Sequence, residues 1–116
     1  MNEFGGGLHT LLHRKQFHQL SMFMTPHEVG NLQAGDFGLD TKVRDIGDRL
    51  SPNRVRDVTR DVEMSKGIHT PIKVAHTESG EQVLNNGHHR STVAIRTNRL
   101  VPVTHDEDLS SHYDDR

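Results

Sequence analysis

The residues best placed to do chemistry lie in Asn85-Asn86-Gly87-His88-His89-Arg90-Ser91. A glycine lets the backbone turn sharply and lets a ligand approach it closely. If a helix begins after Gly87, its first amides have no internal partner and the helix dipole adds partial positive charge there. Arg90, on that first turn beside Ser91, can grip a phosphate through two parallel hydrogen bonds. His88 and His89 can donate hydrogen bonds or carry protons near neutral pH. The chemistry is therefore anion binding, with His88 and His89 as candidate general acid or base. The plainer reading is an ordinary Asn-Gly turn. Adjacent histidines do not share a helix face, so this pair is not expected to chelate one metal ion.

Other groups carry weaker signals. His9 and His13 would stack on one helix face, but Thr10-Leu11-Leu12 lies between them and the glutamate of a zinc-protease motif is missing. A surface pair is the simpler expectation. His105-Asp106-Glu107-Asp108 offers ligands for a magnesium-type ion near the phosphate corner, although a solvated acidic tail explains it as well. Arg54, Arg56 and Arg60 would form a basic helix face, but Asp57, Asp61 and Glu63 interleave with them. Mutual pairing on a solvated helix is the expectation there. No Ser-His-Asp nucleophile elbow and no Walker loop is present.

The elements that must position Gly87 to Arg90 can be read from local signals. A helix over residues 8–20 is expected to follow Gly5-Gly6-Gly7. Thr25-Pro26-His27-Glu28 combines a cap, a first-turn proline and a capping box, so a short helix starts there and stops near Gly30. Residues 30–50 read as a turn-rich connector with room for a short strand. Ser51-Pro52 repeats the cap, and Val55, Val58 and Val62 make one apolar stripe, so a helix is expected over 52–65 with Gly67 at its end. Ile72 and Val74, the turn Thr77-Glu78-Ser79-Gly80, and Gln82 to Asn85 form a hairpin. A helix over 88–97 then buries Val93, Ala94 and Ile95 and ends at Asn98, and Val101 to Val103 is a last short strand. The expected fold is a small α/β (α+β) domain with a mixed sheet: an extension over 1–49, a core over 50–105 and an acidic tail over 106–116.

Composition narrows the partners. Among 116 residues, 31% are hydrophobic and 4% aromatic, enough for one thin core. A homodimer that covers further apolar surface fits such a core. There is no cysteine, so disulfides, thiolate metal sites and thiol nucleophiles are excluded. No apolar run reaches the roughly 20 residues of a membrane span, and Met1 to Gly5 lacks the order of a signal peptide; the cytoplasm is expected. The formal net charge is -2 with ten histidines taken as neutral, so contact with nucleic acid must be local.

Three segments resemble one family. Gly67-Ile68-His69-Thr70-Pro71-Ile72-Lys73-Val74 resembles the Gly-Ile-x-x-Pro-Ile-x-Val segment of ParB-like domains, which ends a helix and starts a strand. Gly87-His88-His89-Arg90-Ser91-Thr92-Val93-Ala94 resembles the Gly-x-x-Arg motif, with small apolar residues following it. Leu100-Val101-Pro102-Val103 resembles the closing strand. Their order, over about residues 50–105, resembles the ParB/sulfiredoxin superfamily in a short stand-alone phage or plasmid form.

The resemblance implies a fold that handles nucleotides or phosphates. By position, Gly87, His88, His89, Arg90 and Ser91 would form the phosphate loop, with Gly67, Thr70 and Pro71 near the nucleotide. A nucleoside triphosphate is the implied ligand and magnesium or manganese the implied cation. The chain departs from the partition-protein form, Gly-Glu-Arg-Arg with a further Arg two places on. Here His88 and His89 replace Glu and Arg, Thr92 replaces the later Arg, and Thr70 stands in place of Gln. The helix-turn-helix domain of partition proteins is not expected after residue 105. Sulfiredoxin chemistry needs a cysteine where His88 stands, so peroxiredoxin repair is excluded.

Two functions remain open at this level. One is a nuclease or nucleoside triphosphatase using His88 or His89. The other is a non-catalytic module, such as a phage-encoded inhibitor or adaptor, that binds nucleotide, DNA or protein.

Overall fold

The computed structural model describes residues 22–38 and 40–106. Its elements are β1 (Phe23–Met24), α1 (Pro26–Gly30), β2 (Gln33–Ala34), α2 (Pro52–Ser65), β3 (Ile72–His76), β4 (Gln82–Asn86), α3 (His88–Thr97) and β5 (Val101–Asp106). Three single 3-10 turns, at Gly35–Phe37, Val43–Asp45 and Gly47–Arg49, occupy the connector between β2 and α2. The helix expected over 8–20, His9, His13 and the tail after Asp106 lie outside the described residues.

Local chemistry sets the helix ends. At α1, Thr25 Oγ1 accepts the Glu28 N–H at 3.1 Å and Glu28 Oε1 accepts the Thr25 N–H at 2.8 Å, a complete capping box. Ser51 Oγ caps α2 by accepting the Arg54 N–H at 3.4 Å. The left-handed residue after α2 is Lys66 (φ 61°), not Gly67. The Lys66 N–H donates to Glu63 O and the Gly67 N–H to Val62 O, so Gly67 completes the cap from one position further on. Asn98 (φ 55°) ends α3 in the same way, with the Arg99 N–H donating to Ala94 O at 3.0 Å.

The five strands form one mixed sheet in the order β1-β5-β3-β4-β2. β3 and β4 are the expected antiparallel hairpin, β5 runs parallel to β3, and β2 runs parallel to β4. The last strand runs past Val103 to Asp106, because β3 offers it a pairing edge that long. One face of the sheet carries Ile72, Val74, Leu84, Val101 and Val103 into the core. Val29, Val55, Val62, Val93 and Ala94 of the helices meet them there, together with Val43 and Ile46 of the connector. The expected 1–49 extension thus contributes, through its described residues, two strands, a helix and core side chains to the same unit.

Candidate anion-binding site

β4 delivers the chain to the site through an irregularity. Val74 pairs with Leu84 but Lys73 pairs with Asn86, so Asn85 is one residue too many and bulges the strand. Gly87 follows at φ 106°, and a Cβ there would lie 2.5 Å from Ile72 Cγ2. Only glycine accepts both the positive φ and that approach. α3 starts at once, with no side-chain cap, so the amides of His88, His89 and Arg90 lack intrahelical acceptors. A second glycine brings the opposite wall near. A Cβ on Gly35 would lie 2.5 Å from Leu84 O, so Gly35 lets the 3-10 turn leave β2 tight against β4.

Between that turn, the first turns of α2, the end of β4 and the start of α3 lies a cavity of roughly 300 Å³. Arg54, His89 and Arg90 line it, with Asn85, Asn86 and Gly87. Leu50, Val58 and Phe37 give it an apolar side, and Asp36 is its one carboxylate. A wider groove of roughly 650 Å³ lies between α2 and the Gly47–Leu50 segment. It mixes Arg56, Arg60 and Arg96 with Asp48 and Glu63. Each lining has one more guanidinium than carboxylates, but the smaller cavity also has the helix amides after Gly87, so its chemistry is the more selective for an anion.

His88 is a wedge in this wall. It is 5% exposed. Its Nε2 accepts the Asp36 backbone N–H in a long hydrogen bond of 3.4 Å, and its Nδ1 lies 3.5 Å from Asp36 Oδ2. An accepting Nε2 carries no proton, so the neutral ring holds its proton on Nδ1, toward Asp36. The ring meets Phe37 edge to face at 5.6 Å, and the Arg49 guanidinium covers Phe37 at 4.8 Å. Burial pushes the His88 pKa below the usual imidazole range; Asp36 opposes this and His89 adds to it. His88 therefore joins the Gly35–Phe37 turn to α3, and its accepting nitrogen is occupied.

His89 is half-buried, and its ring makes no hydrogen bond among the described residues. Partial burial, and then Arg54, lowers its pKa too. Arg90 reaches across to the loop before β3: its Nη2 donates to Pro71 O at 2.9 Å and to Asn86 Oδ1 at 3.5 Å. Its Nε is buried without a partner, as is Asn85 Nδ2. Burial lowers the Arg90 pKa, but a guanidinium stays charged. Among the described residues no carboxylate comes within ion-pairing distance of it; the ion pairs there are Arg60–Asp57 and His88–Asp36.

The expected site residues thus separate. Gly87, His88, His89 and Arg90 converge, and Pro71 is joined to them through Arg90. Gly67, Thr70 and Ser91 do not line the cavity; Ser91 is fully buried, with its Oγ unpartnered. Sequence reading missed Asp36 and Phe37 altogether and assigned Arg54 to a self-paired surface. That assignment holds for Arg60, which lies 3.9 Å from Asp57, whereas Arg54 turns into the cavity. Its place on the first turn after the Ser51-Pro52 cap was the available signal.

A divalent cation held by protein needs several oxygen ligands. The cavity offers one carboxylate, Asp36, which already faces His88, so its lining does not fit a magnesium or manganese ion. His105 and Asp106 are not near this corner. They pair with Val74 and Ala75, toward the far end of β3. Among the described residues no group of three or more metal-ligating side chains is assembled, and no helix is long and apolar enough to cross a membrane. Comparison with protein-family models, curated proteins and solved structures finds no match.

Proposed function

We propose that this chain binds a nucleotide, or the phosphate of a nucleic acid, in the cavity at the start of α3. The observation that carries the reading is Arg90: a half-buried guanidinium with an unpartnered Nε and no carboxylate, beside the free amides that follow Gly87. Arg54 and His89 add donors on the neighbouring walls. A phosphate against the helix amides, with Arg90 and Arg54 beside it, gains charge-assisted hydrogen bonds and the favourable end of the helix dipole. The likeness of Gly67–Val74 and Gly87–Ala94 to ParB/sulfiredoxin segments supports the same reading.

Residue roles follow from access. The amides after Gly87, with Arg90 and Arg54, hold phosphate oxygens. Asn85 and Asn86 offer polar groups to the rest of the ligand. If the bound phosphate is hydrolysed, His89 is the acid or base, because His88 spends its accepting nitrogen on Asp36. His88 is a positioning residue. A module that binds without turnover uses the same contacts and differs only in leaving the phosphate intact.

Thermal unfolding with each nucleoside triphosphate, inorganic phosphate or a short DNA, with and without magnesium, tests binding. A ligand at 100 times its Kd adds about 2.7 kcal/mol, which raises Tm by about 10 °C or more in a domain of this size. The expected result is a shift in wild type that Arg90→Ala abolishes. No shift with any of these ligands overturns the reading. Phosphate release from the ligand that binds, lost in His89→Ala while binding is kept, separates turnover from binding alone.

A further inference from the structure

Strand alternation fixes what each face of the sheet carries. Ala34, Val74 and Leu84 point into the core, where the described helices bring their buried apolar side chains. Gln33, Ala75 and Val83, one position away in each strand, therefore point to the opposite face. Pairing aligns them. Gln33 opposes Val83, Val83 opposes Ala75, and Ala75 opposes Asp106. One row thus crosses β2, β4, β3 and β5 at right angles to the strands. Ala75 and Val83 in this row are fully buried. Gly35 borders Val83 on the β2 side, while Ala75 sits one strand further in. Gln33 Oε1, at the end of the row, is buried without a hydrogen-bond partner. Lys73 and Thr104, on the same face but nearer the other end of the sheet, are exposed. The row is therefore where this face needs a second layer.

We propose that residues 8–20 form an amphipathic helix laid across this row, with Leu8, Leu11 and Leu12 over Val83 and Ala75. The path of the chain carries the assignment. β1 runs antiparallel to β5, with Phe23 opposite Pro102 and the Val103 N–H donating to Met22 O. The chain before Met22 therefore approaches from the Asp106 end of β5, where the row begins. From β5 to β2 the row spans three strand spacings, about 14 Å, and residues 8–20 as a helix span about 20 Å. Leu12 then lies about 12 Å back from Leu20. Val83 lies about 10 Å across the sheet from Asp106, so the leucines fall on the buried pair.

The composition of the segment fits the row. Leu8, Leu11 and Leu12 stand at i, i+3 and i+4, on one helix face. The segment carries Arg14 and Lys15 and no carboxylate, which suits a row that begins at Asp106. His9 and Thr10, near the other end, can donate to Gln33 Oε1. The anion cavity takes no residue from this row, so the second layer and the cavity stand independently.

The test is a nuclear Overhauser spectrum of the full chain with labelled Ala, Leu and Val methyl groups. Cross-peaks from Leu11 and Leu12 to Val83 and Ala75 are expected, whereas Val74 and Leu84, on the core face, should show none to these leucines. An equal mixture of labelled and unlabelled chains separates contact within one chain from contact between two copies. Cross-peaks that arise only between copies overturn the proposal and assign the face to a dimer. Absence of cross-peaks from residues 8–20 to both Val83 and Ala75 overturns it outright. Leu11→Ser combined with Leu12→Ser should shift the Ala75 and Val83 methyl resonances, leave those of Val74 and Leu84 in place, and lower Tm by about 5 °C or more. A folded double variant with unmoved Ala75 and Val83 resonances also overturns the proposal. The wild-type spectrum decides the matter if that variant does not fold.

Discussion

His88 and His89 are neighbours in sequence with opposite situations. His88 is enclosed by Asp36 and Phe37 and is held neutral; His89 faces the cavity beside Arg54. Because the folded state holds His88 below the usual imidazole pKa, the unfolded chain binds more protons under about pH 6.5, and acid favours unfolding. Stability from this residue is present above that pH and is lost as pH falls toward the folded-state pKa. His88→Gln should therefore flatten the loss of urea midpoint between pH 7.5 and 5.5 relative to wild type. It should also lower stability at pH 7.5 by about 1–3 kcal/mol, since the ring's edge-to-face packing on Phe37 is lost. Equal pH slopes in the two proteins would refute the buried-neutral assignment. The residue type was legible in the sequence, but which of the two rings was wedge and which was cavity wall was not, because Asp36 lies 52 positions from His88.

At the scale of elements, the bulge at Asn85, the left-handed Gly87 and the uncapped start of α3 act as one device that turns polar groups toward the cavity. Gly87→Ala places a Cβ against Ile72, which is fully buried and has no room to retreat, and adds positive-φ strain of about 1–2 kcal/mol. We expect a loss of about 2 kcal/mol or more in urea unfolding, with phosphate-dependent stabilisation weakened beyond what the lower stability explains. Full stability in the variant would show that the turn tolerates another conformation. Helix starts, the valine stripe of α2 and the Asn98 stop were readable beforehand because each depends on residues within one or two turns. The bulge was not, since it exists only in the register of β4 against β3.

Across the whole molecule, the connector before α2 is structural rather than peripheral. Ile46, in the 3-10 segment between β2 and α2, is as completely buried as Leu84 in β4, and both belong to one core. Ile46→Ala and Leu84→Ala should each cost about 2–5 kcal/mol. Each should do so within a single unfolding transition seen alike by circular dichroism and by the ring signals of Phe37. Two separated transitions would instead divide the connector from the β3–α3–β5 unit.

By itself the sequence determined the mixed α/β class, the two capped helices, the hairpin, and the helix that begins after Gly87. These rest on side-chain-to-backbone hydrogen bonds and on periodicities of two and 3.6 residues, which neighbouring positions carry. Tertiary structure alone decided that β2 runs parallel to β4 and that Asp36 reaches His88. It also decided that Arg54 turns inward. Each of these joins residues brought together by sheet order and core burial, and no local pattern encodes that order.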